Sequence, residues 1–187
     1  MTVPVEQRPR HSIAMMYRDS WRKGYPDGLA VLKRLKEQYP DLECCLFGVD
    51  PRPADLPGWA RFVYRADQQT LAGIYNGARV YLSPSLQEGY GLTGLESMAC
   101  GCALVSTDTL GAHEYAEDGV TASIVPVGDV EAMVQKASEL FAQEDLLLAR
   151  SREGCRRAQQ LSLRAMEARF ETIAHRQLEE AANGDQN

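Results

Sequence analysis

Six short apolar runs recur along the chain, separated by polar or helix-patterned stretches. Consecutive apolar residues over such short runs are typical of strands buried on both faces of a sheet. The pattern therefore predicts six strands, at 12–17, 42–48, 60–65, 80–85, 103–108 and 122–127.

Helical spacing marks most of the intervening stretches. Apolar residues recur every three or four positions in 26–39, where Pro26 suits a first turn. Asp67 and Asp129 each precede such a pattern and are typical helix N-caps. Helices are also predicted at 92–101, 111–117, 144–160 and 163–182, whereas the proline-rich stretch 50–58 is predicted as a loop.

This alternation predicts an α/β fold, a doubly wound Rossmann-like parallel sheet of about six strands with helices on both faces. We expect a single domain over 1–187, with 1–11 as an N-terminal extension and 144–182 as C-terminal helices. Ligands of such sheets bind beyond the carboxyl ends of the strands. Candidate ligand-binding and catalytic residues are therefore expected in the loops that follow the strands.

Composition narrows the functional classes. The 187 residues carry a formal charge of −6, which argues against a general nucleic-acid-binding protein. The apolar runs are far shorter than the ~20 residues of a membrane-spanning helix. Arg8, Arg10 and His11 interrupt any secretory signal.

The five cysteines form no paired CxxC motifs, and Cys44 and Cys45 are expected as buried free thiols of a reducing, cytoplasmic compartment.

The loop 17–24 follows the first predicted strand and is rich in cations. Arg18, Arg22 and Lys23 lie within six residues, and Gly24 allows the backbone to turn. Arginine and lysine side chains at such a position suit a phosphate-bearing ligand. An ordinary solvated basic loop is the alternative.

The segment 83–101 follows the fourth predicted strand. Gly89 and Gly91 precede a helix start, whose free N–H groups attract phosphate. Glu88 and Glu96 flank this helix start and suit neutral hydroxyl groups better than phosphate. The alternative is one capping and one surface glutamate.

The segment 110–115 follows the fifth predicted strand and brings His113 into the first turn of another helix. A second histidine at metal-binding spacing and an evident nucleophile are both missing from the sequence around it. His113 is therefore interpreted as a structural or solvated histidine rather than a catalytic one.

The segment 88–129, EGYGLTGLESMACGCALVSTDTLGAHEYAEDGVTASIVPVGD, closely resembles the donor-binding half of retaining GT-B glycosyltransferases. These are the glycogen-synthase-like and mannosyltransferase-like group 1 enzymes, whose mark is a pair of glutamates separated by seven residues. Glu88 and Glu96 have that spacing, and Arg18 with Lys23–Gly24 resembles the family's phosphate-binding residues. This chain differs from the family at two positions: it has Thr93 where proline is frequent and Ala122 where glycine is frequent.

The resemblance implies a role for each matching residue. Arg18 and Lys23 would neutralise the diphosphate of a nucleotide-sugar donor, and Glu96 would hold the ribose. Glu88 would accept hydrogen bonds from the transferred sugar, which makes Glu88, Arg18 and Lys23 the candidate catalytic residues. Backbone N–H groups would bind phosphate at Gly89, Tyr90, Gly91 and Leu92. Tyr64 and Arg65 match the stretch that lines the base pocket.

The resemblance further implies half of a two-lobed enzyme. The acceptor-binding N-terminal lobe is expected to be absent from this chain and to be supplied in cis or in trans, with any peripheral membrane contact made through it. The expected activity is hexosyl transfer in polysaccharide or glycoconjugate synthesis, without a metal or other cofactor, and this lobe alone is expected to be inactive. The alternatives are a non-catalytic nucleotide-sugar-binding module and a GT-B-type nucleotide-sugar epimerase.

Overall fold

The computed structural model describes residues 3–162 and consists of one parallel sheet between two layers of helices. The strands are β1 Ser12–Tyr17, β2 Glu43–Gly48, β3 Ala60–Tyr64, β4 Val80–Ser83, β5 Ala103–Thr107 and β6 Ala122–Val125. The α-helices are α1 Tyr25–Gln38, α2 Gln68–Asn76, α3 Leu92–Ala99, α4 Val130–Ala142 and α5 Glu144–Gln160. Short 3-10 helices span Val5–Gln7, Trp21–Lys23 and Leu110–Glu114.

The strand order is β3-β2-β1-β4-β5-β6, and the neighbouring strands pair in parallel. This order belongs to the doubly wound nucleotide-binding sheet, so the predicted fold class is confirmed. Strands β2 and β3 are added on one side of β1, and β4, β5 and β6 on the other side, so β1 and β4 are adjacent. The loops that follow these two strands are therefore neighbours at the carboxyl edge.

Alternating residues of the central strands supply two separate cores. Ile13 and Met15 of β1 face the layer formed by α1 and α4. Ala14, between them, faces the layer of α2, α3 and α5, where Tyr75 and Met98 are buried. Because both faces are covered, the strands carry consecutive apolar residues, as the sequence pattern indicated.

Two helices begin at the aspartates that the sequence indicated. The Asp67 carboxylate accepts a hydrogen bond from the Thr70 backbone N–H at 2.8 Å, and the Asp129 carboxylate accepts one from Ala132 at 2.9 Å. These bonds satisfy N–H groups that the first helical turn leaves without intrahelical partners. The bond from Thr70 also lowers the pKa of Asp67.

Two predicted segments take tighter turns than expected. The basic loop 17–24 contains a 3-10 helix, Trp21–Lys23, that ends at Gly24 in the left-handed region. The helix predicted at 111–117 is instead the 3-10 helix Leu110–Glu114. A Cβ at Gly111 in this turn would overlap the backbone of Gly89 and Tyr90, so the close approach of the two segments requires a glycine there. The helix predicted at 163–182 lies outside the described residues.

Arg8 anchors the predicted N-terminal extension under the amino edge of the sheet. Its buried guanidinium donates hydrogen bonds to the carbonyl oxygens of Ala78 at 2.7 Å and Cys100 at 2.6 Å, and to Tyr75 at 3.2 Å. Tyr75 and Cys100 lie at the C-terminal ends of α2 and α3, where carbonyl oxygens lack helical partners. Residues 3–11 thus belong to the packed domain.

The five cysteines are free thiols. Burial raises the pKa of the Cys44 thiol, and raises that of Cys102 to about 12. Cys45 is half-buried rather than fully buried, because it lies on the partly covered face of β2. No helix within residues 3–162 is long and apolar enough to cross a membrane.

Candidate functional site

The loops after β1 and β4 are joined by backbone hydrogen bonds. The Arg22 carbonyl accepts bonds from the N–H groups of Leu86 at 2.7 Å and Gln87 at 3.2 Å. Gly24, at φ 60°, lies so close to Pro84 that a Cβ there would overlap the Pro84 carbonyl oxygen. A glycine is therefore required at position 24, and its close approach holds the basic segment against the loop that carries Glu88.

Lys23 and Glu88 form an ion pair between these loops. The Lys23 ammonium donates a hydrogen bond to Glu88 Oε1 at 2.6 Å, and the Ser85 hydroxyl donates to the same oxygen at 2.8 Å. The Glu88 side chain is only 12% exposed, so two donors offset the cost of its burial. The sequence-predicted residues Lys23 and Glu88 are thus brought into direct contact.

Arg18 lies beside this pair and is largely exposed. Its nearest acid is Asp50 on the loop after β2, at 3.4 Å from Arg18 Nε. Arg22 lies over the Trp21 ring, with 5.8 Å between the guanidinium carbon and the ring centroid. Both guanidinium groups therefore retain donors that an anionic ligand could use.

Helix α3 begins at the rim of the same site. Its N-cap is Gly91, at φ 85°, and no side chain caps this helix end. In the described part of the chain, the backbone N–H groups of 89–92 donate no hydrogen bond to another protein group. Four N–H groups beside the positive end of a helix dipole form an anion-binding arrangement.

The Tyr115 side chain packs against the first turn of α3. Its hydroxyl packs against Gly91 and Gly94, where a side chain would collide with it. The Tyr115 ring lies 5.7 Å from that of Tyr90. Burial raises the pKa of Tyr115, so the phenol is uncharged under the glycine-rich turn.

Glu96 lies on the exposed face of α3, one turn beyond Leu92. Its Oε2 accepts a hydrogen bond from the hydroxyl of buried Tyr75 at 3.2 Å. The other carboxylate oxygen has no hydrogen-bond partner among residues 3–162. Glu96 therefore has one oxygen held by the protein and one available to a ligand.

Two cavities meet at Arg18 and Lys23, since both residues line each cavity. The polar cavity has a volume of about 600 Å³ and includes Arg22, Glu88 and Gly89. The apolar cavity has a volume of about 280 Å³. Its wall is formed by residues of β1, β2, α2 and α3 and by loop residues next to them: Met16, Tyr17, Phe47, Gly48, Val49, Ala66, Leu71 and Thr93. A ligand with apolar, anionic and hydroxyl-rich parts in that order would match this arrangement.

Tyr64 and Arg65 lie at the end of β3, beside the apolar cavity but not among its lining residues. Both are exposed, and the Arg65 guanidinium lies 5.0 Å from the centre of the Tyr64 ring. Arg65 has a φ of 51° and donates its backbone N–H to the Gly48 carbonyl. The next residue, Ala66, is one of the residues that line the cavity.

His113 pairs with Asp108 at the rim of the sheet, with 2.6 Å between Nε2 and Oδ1. Both side chains are exposed, and His113 does not line either of the two cavities. This placement agrees with the interpretation of His113 as a solvated, structural histidine.

Three residues at the site escaped sequence reasoning: Ser85, Tyr75 and Asp50. Each contacts a predicted site residue: Ser85 contacts Glu88 in the same loop, Tyr75 contacts Glu96, and Asp50 contacts Arg18. Ser85 lies two residues after the last residue of β4, at the carboxyl edge where ligands of such sheets bind, and this position is a signal that could have identified it. Tyr75 lies on a helix and is buried, so no local signal marks it as a site residue.

The model of the family "Glycosyl transferases group 1" matches residues 11–143, most of the chain. The chain belongs to this family.

Curated relatives of the chain are glycosyltransferases. The phosphatidyl-myo-inositol mannosyltransferase of Mycolicibacterium smegmatis is 31% identical over 135 residues, which are 68% of this chain and 35% of that enzyme. The chain thus spans about a third of the length of this curated relative.

Solved structures in the family share the fold. A structure of the GtfA/B complex superimposes with a TM-score of 0.77 and 25% identity, over 92% of this chain and 37% of the other. The C-terminal domain of a group 1 glycosyl transferase (LpcC) from Francisella tularensis superimposes with a TM-score of 0.70 and 20% identity. That match covers 82% of this chain and 87% of the domain, so the same fold occurs there as a C-terminal domain.

Proposed function

We propose that this chain is the donor-binding lobe of a retaining glycosyltransferase. The enzyme would transfer a hexosyl group from a nucleoside diphosphate sugar to an acceptor in the synthesis of a polysaccharide or glycoconjugate. Membership of the family supports sugar transfer as the reaction class. The reaction would take place in the cytoplasm, and neither nucleic acid nor a metal ion takes part in the proposed reaction.

The observation that carries the proposal is the position of Arg18 and Lys23 between the two cavities. A nucleotide sugar has the same order of parts: an aromatic base, an anionic diphosphate and a polyhydroxylated ring. The apolar cavity suits the nucleoside, and the cavity with Glu88 suits the sugar. The diphosphate would then lie at the two cations and the N-terminus of α3.

The chemistry of the proposed reaction depends on the leaving diphosphate. Negative charge grows on this group as the bond to the sugar breaks, and fixed positive groups lower the barrier most when they face that charge. In the proposed reaction, Arg18, Lys23 and the N–H groups at Gly91 and Leu92 would supply this stabilisation without a metal ion. Among residues 3–162, no three or more His, Cys, Asp or Glu side chains cluster as a metal site.

The two glutamates would recognise different parts of the donor. Glu88 lines the polar cavity and would accept hydrogen bonds from sugar hydroxyls. Glu96 lies on α3 and would hold the ribose through the oxygen that Tyr75 does not occupy. Tyr64 and Arg65 would contribute to the rim of the base pocket rather than to its wall.

The acceptor site and the rest of the catalytic machinery would come from an N-terminal lobe, in cis or in trans. One structural neighbour is a complex, GtfA/B, which supports the proposal of an assembly with a separate chain. Any contact with a membrane surface would be made through that lobe. The lobe described here would bind the donor and be inactive alone.

Calorimetry on two glutamate variants tests the proposal, with UDP, GDP and ADP and the corresponding nucleotide sugars as probes. Glu96→Ala is expected to weaken both the nucleoside diphosphate and its sugar conjugate, because the ribose is present in both. Glu88→Ala is expected to weaken the conjugate and spare the diphosphate. Glu153→Ala, which removes a surface ion pair with Arg156, is the matched control.

Equal losses for both ligands in both variants would contradict these assignments. An assay of donor hydrolysis, epimerisation and transfer then separates the reaction classes. Epimerised donor would indicate the epimerase, and tight donor binding without turnover, even after an N-terminal lobe is supplied, would indicate a binding module.

A further inference from the structure

The contacts of Glu88 distinguish its two carboxylate oxygens. Lys23 Nζ and Ser85 Oγ both donate to Oε1, at 2.6 Å and 2.8 Å. Within residues 3–162, no protein group is hydrogen bonded to Oε2. A carboxylate oxygen accepts about two hydrogen bonds, so Oε1 has its full number. Oε2 is the oxygen of Glu88 that can still accept hydrogen bonds from a ligand.

The two donors to Oε1 differ in freedom. Lys23 has a long side chain, and its ammonium faces a cavity that also contains Arg18 and Arg22. Ser85 is 4% exposed, and the hydroxyl of Thr107 on β5 donates to its carbonyl oxygen. The preceding residue, Pro84, is in close contact with Gly24. Ser85 is therefore a fixed donor, whereas Lys23 can turn toward an anion without backbone movement.

We infer that Ser85 is a positioning residue for Glu88. Its hydroxyl holds Oε1, so that Oε2 remains directed at the hydroxyl groups of the transferred sugar when Lys23 turns to the diphosphate. This inference rests on the proposed function, which assigns the sugar to Glu88. Without Ser85, a donor that attracts Lys23 would leave the Glu88 carboxylate free to rotate at the moment when its orientation matters.

Calorimetry with three pairs of ligands tests this role: UDP and UDP-GlcNAc, GDP and GDP-mannose, and ADP and ADP-glucose. For the pair that the wild type binds, Ser85→Ala is expected to lower affinity for the nucleotide sugar about tenfold, the loss of one hydrogen bond to a charged group. Affinity for the diphosphate is expected to stay unchanged. Ser85→Thr, which keeps the hydroxyl, is expected to restore binding of the sugar conjugate.

Ser151→Ala is the matched control. Ser151 is buried to the same degree and its hydroxyl donates to the Gly101 carbonyl, at the opposite end of α3 from the site. In a Glu88→Ala background, Ser85→Ala is expected to cause no further loss. An equal loss for both members of a ligand pair, or an additional loss in that background, would overturn the positioning role.

Crystal structures of ligand-free Lys23→Ala and of the double variant Lys23→Ala/Ser85→Ala separate this inference from the proposed function, because Ser85 is the remaining donor to Oε1 among residues 3–162 once Lys23 is removed. The Glu88 carboxylate is expected to keep its position in the single variant and to leave it, or to take more than one orientation, in the double variant. An unchanged carboxylate would overturn the positioning role whatever the ligand. If the wild type bound none of the six probes, the proposed function would fail, and with it the direction of Oε2 toward a sugar.

Discussion

Tyr75 joins the core of the domain to the candidate ribose ligand, because its hydroxyl donates to Glu96 Oε2 at 3.2 Å. The Tyr75 side chain is 1% exposed, and burial raises the pKa of the phenol, so it remains a donor at all physiological pH values. Helix α2, which carries Tyr75, is therefore coupled to α3, which carries Glu96, through one hydrogen bond.

Tyr75→Phe should reproduce part of the effect of Glu96→Ala. The change removes only the hydroxyl, and the loss of one hydrogen bond to a carboxylate is expected to weaken nucleoside diphosphate binding by about 1–2 kcal/mol. Calorimetry measures the change. Tyr25→Phe, which removes a similar bond to Asp55, is the control. If Tyr75→Phe lowered the affinity for the nucleoside diphosphate in a Glu96→Ala background as much as it does in the wild type, the phenol would act independently of Glu96.

Lys23→Ala should weaken binding of a nucleoside diphosphate by about 1.5–3 kcal/mol, as expected for a charge-assisted contact. The loss has a second source in the structure, since Glu88 would keep its negative charge beside the phosphates without its cation. Binding is expected to persist in a chelator. Lys33→Ala, on the exposed face of α1, controls for net charge.

Two outcomes would contradict this prediction. Unchanged affinity in Lys23→Ala would remove Lys23 from the site. A strict requirement for magnesium or manganese would contradict the metal-free diphosphate contact, because Arg18 and the helix N-terminus would then be insufficient.

Arg8→Ala should destabilise the domain by about 3 kcal/mol, because it removes a buried guanidinium that bonds three carbonyl oxygens and leaves the Cys100 carbonyl without a donor among residues 3–162. Urea denaturation followed by circular dichroism measures the free energy of unfolding. Arg10→Ala, on an exposed neighbour, should change it little. Equal stability of the two variants would mean that water replaces the guanidinium at no cost.

The fold could be predicted from the chain because its signals are local. Asp67 and Asp129 cap their helices through residues three positions away, and such spacing is visible in a sequence. The alternation of buried runs and helices then leaves few topologies, of which the doubly wound sheet is common. The close approach of Gly111 to Gly89 joins positions 22 residues apart, so no local pattern in the sequence indicated it.

The site was predictable in its residue types but not in its contacts. Lys23 and Glu88 are 65 positions apart and pair because β1 and β4 are adjacent. The hydrogen bonds from Arg8 to the carbonyl oxygens of Tyr75 and Cys100 join residues 67 and 92 positions apart. The sequence therefore indicated residues 1–11 only as an N-terminal extension. Tyr75 needed the same kind of information, since Glu96 is 21 positions away. Ser85 is only three positions from Glu88, but a serine becomes a positioning group only through the acid it faces.

The isolated chain should bind a donor yet transfer no sugar at a useful rate. Holding the acceptor in place is worth roughly 7–11 kcal/mol of a bimolecular barrier, and one lobe leaves the acceptor free in solution. An open lobe also leaves the Arg18 side chain, 56% exposed, in water, where its charge is screened. Slow hydrolysis of the donor is therefore the expected limit.

Addition of an N-terminal lobe, fused or in trans, should restore transfer, and NMR of the product should show that the anomeric configuration is retained. The Lys23→Ala variant, assayed with the same lobe, is the matched control because it should lose transfer while the assembly still forms. Robust transfer by the 187-residue chain alone would contradict the half-enzyme interpretation. It would require an acceptor site beyond the two cavities that meet at Arg18 and Lys23, since the donor would fill both.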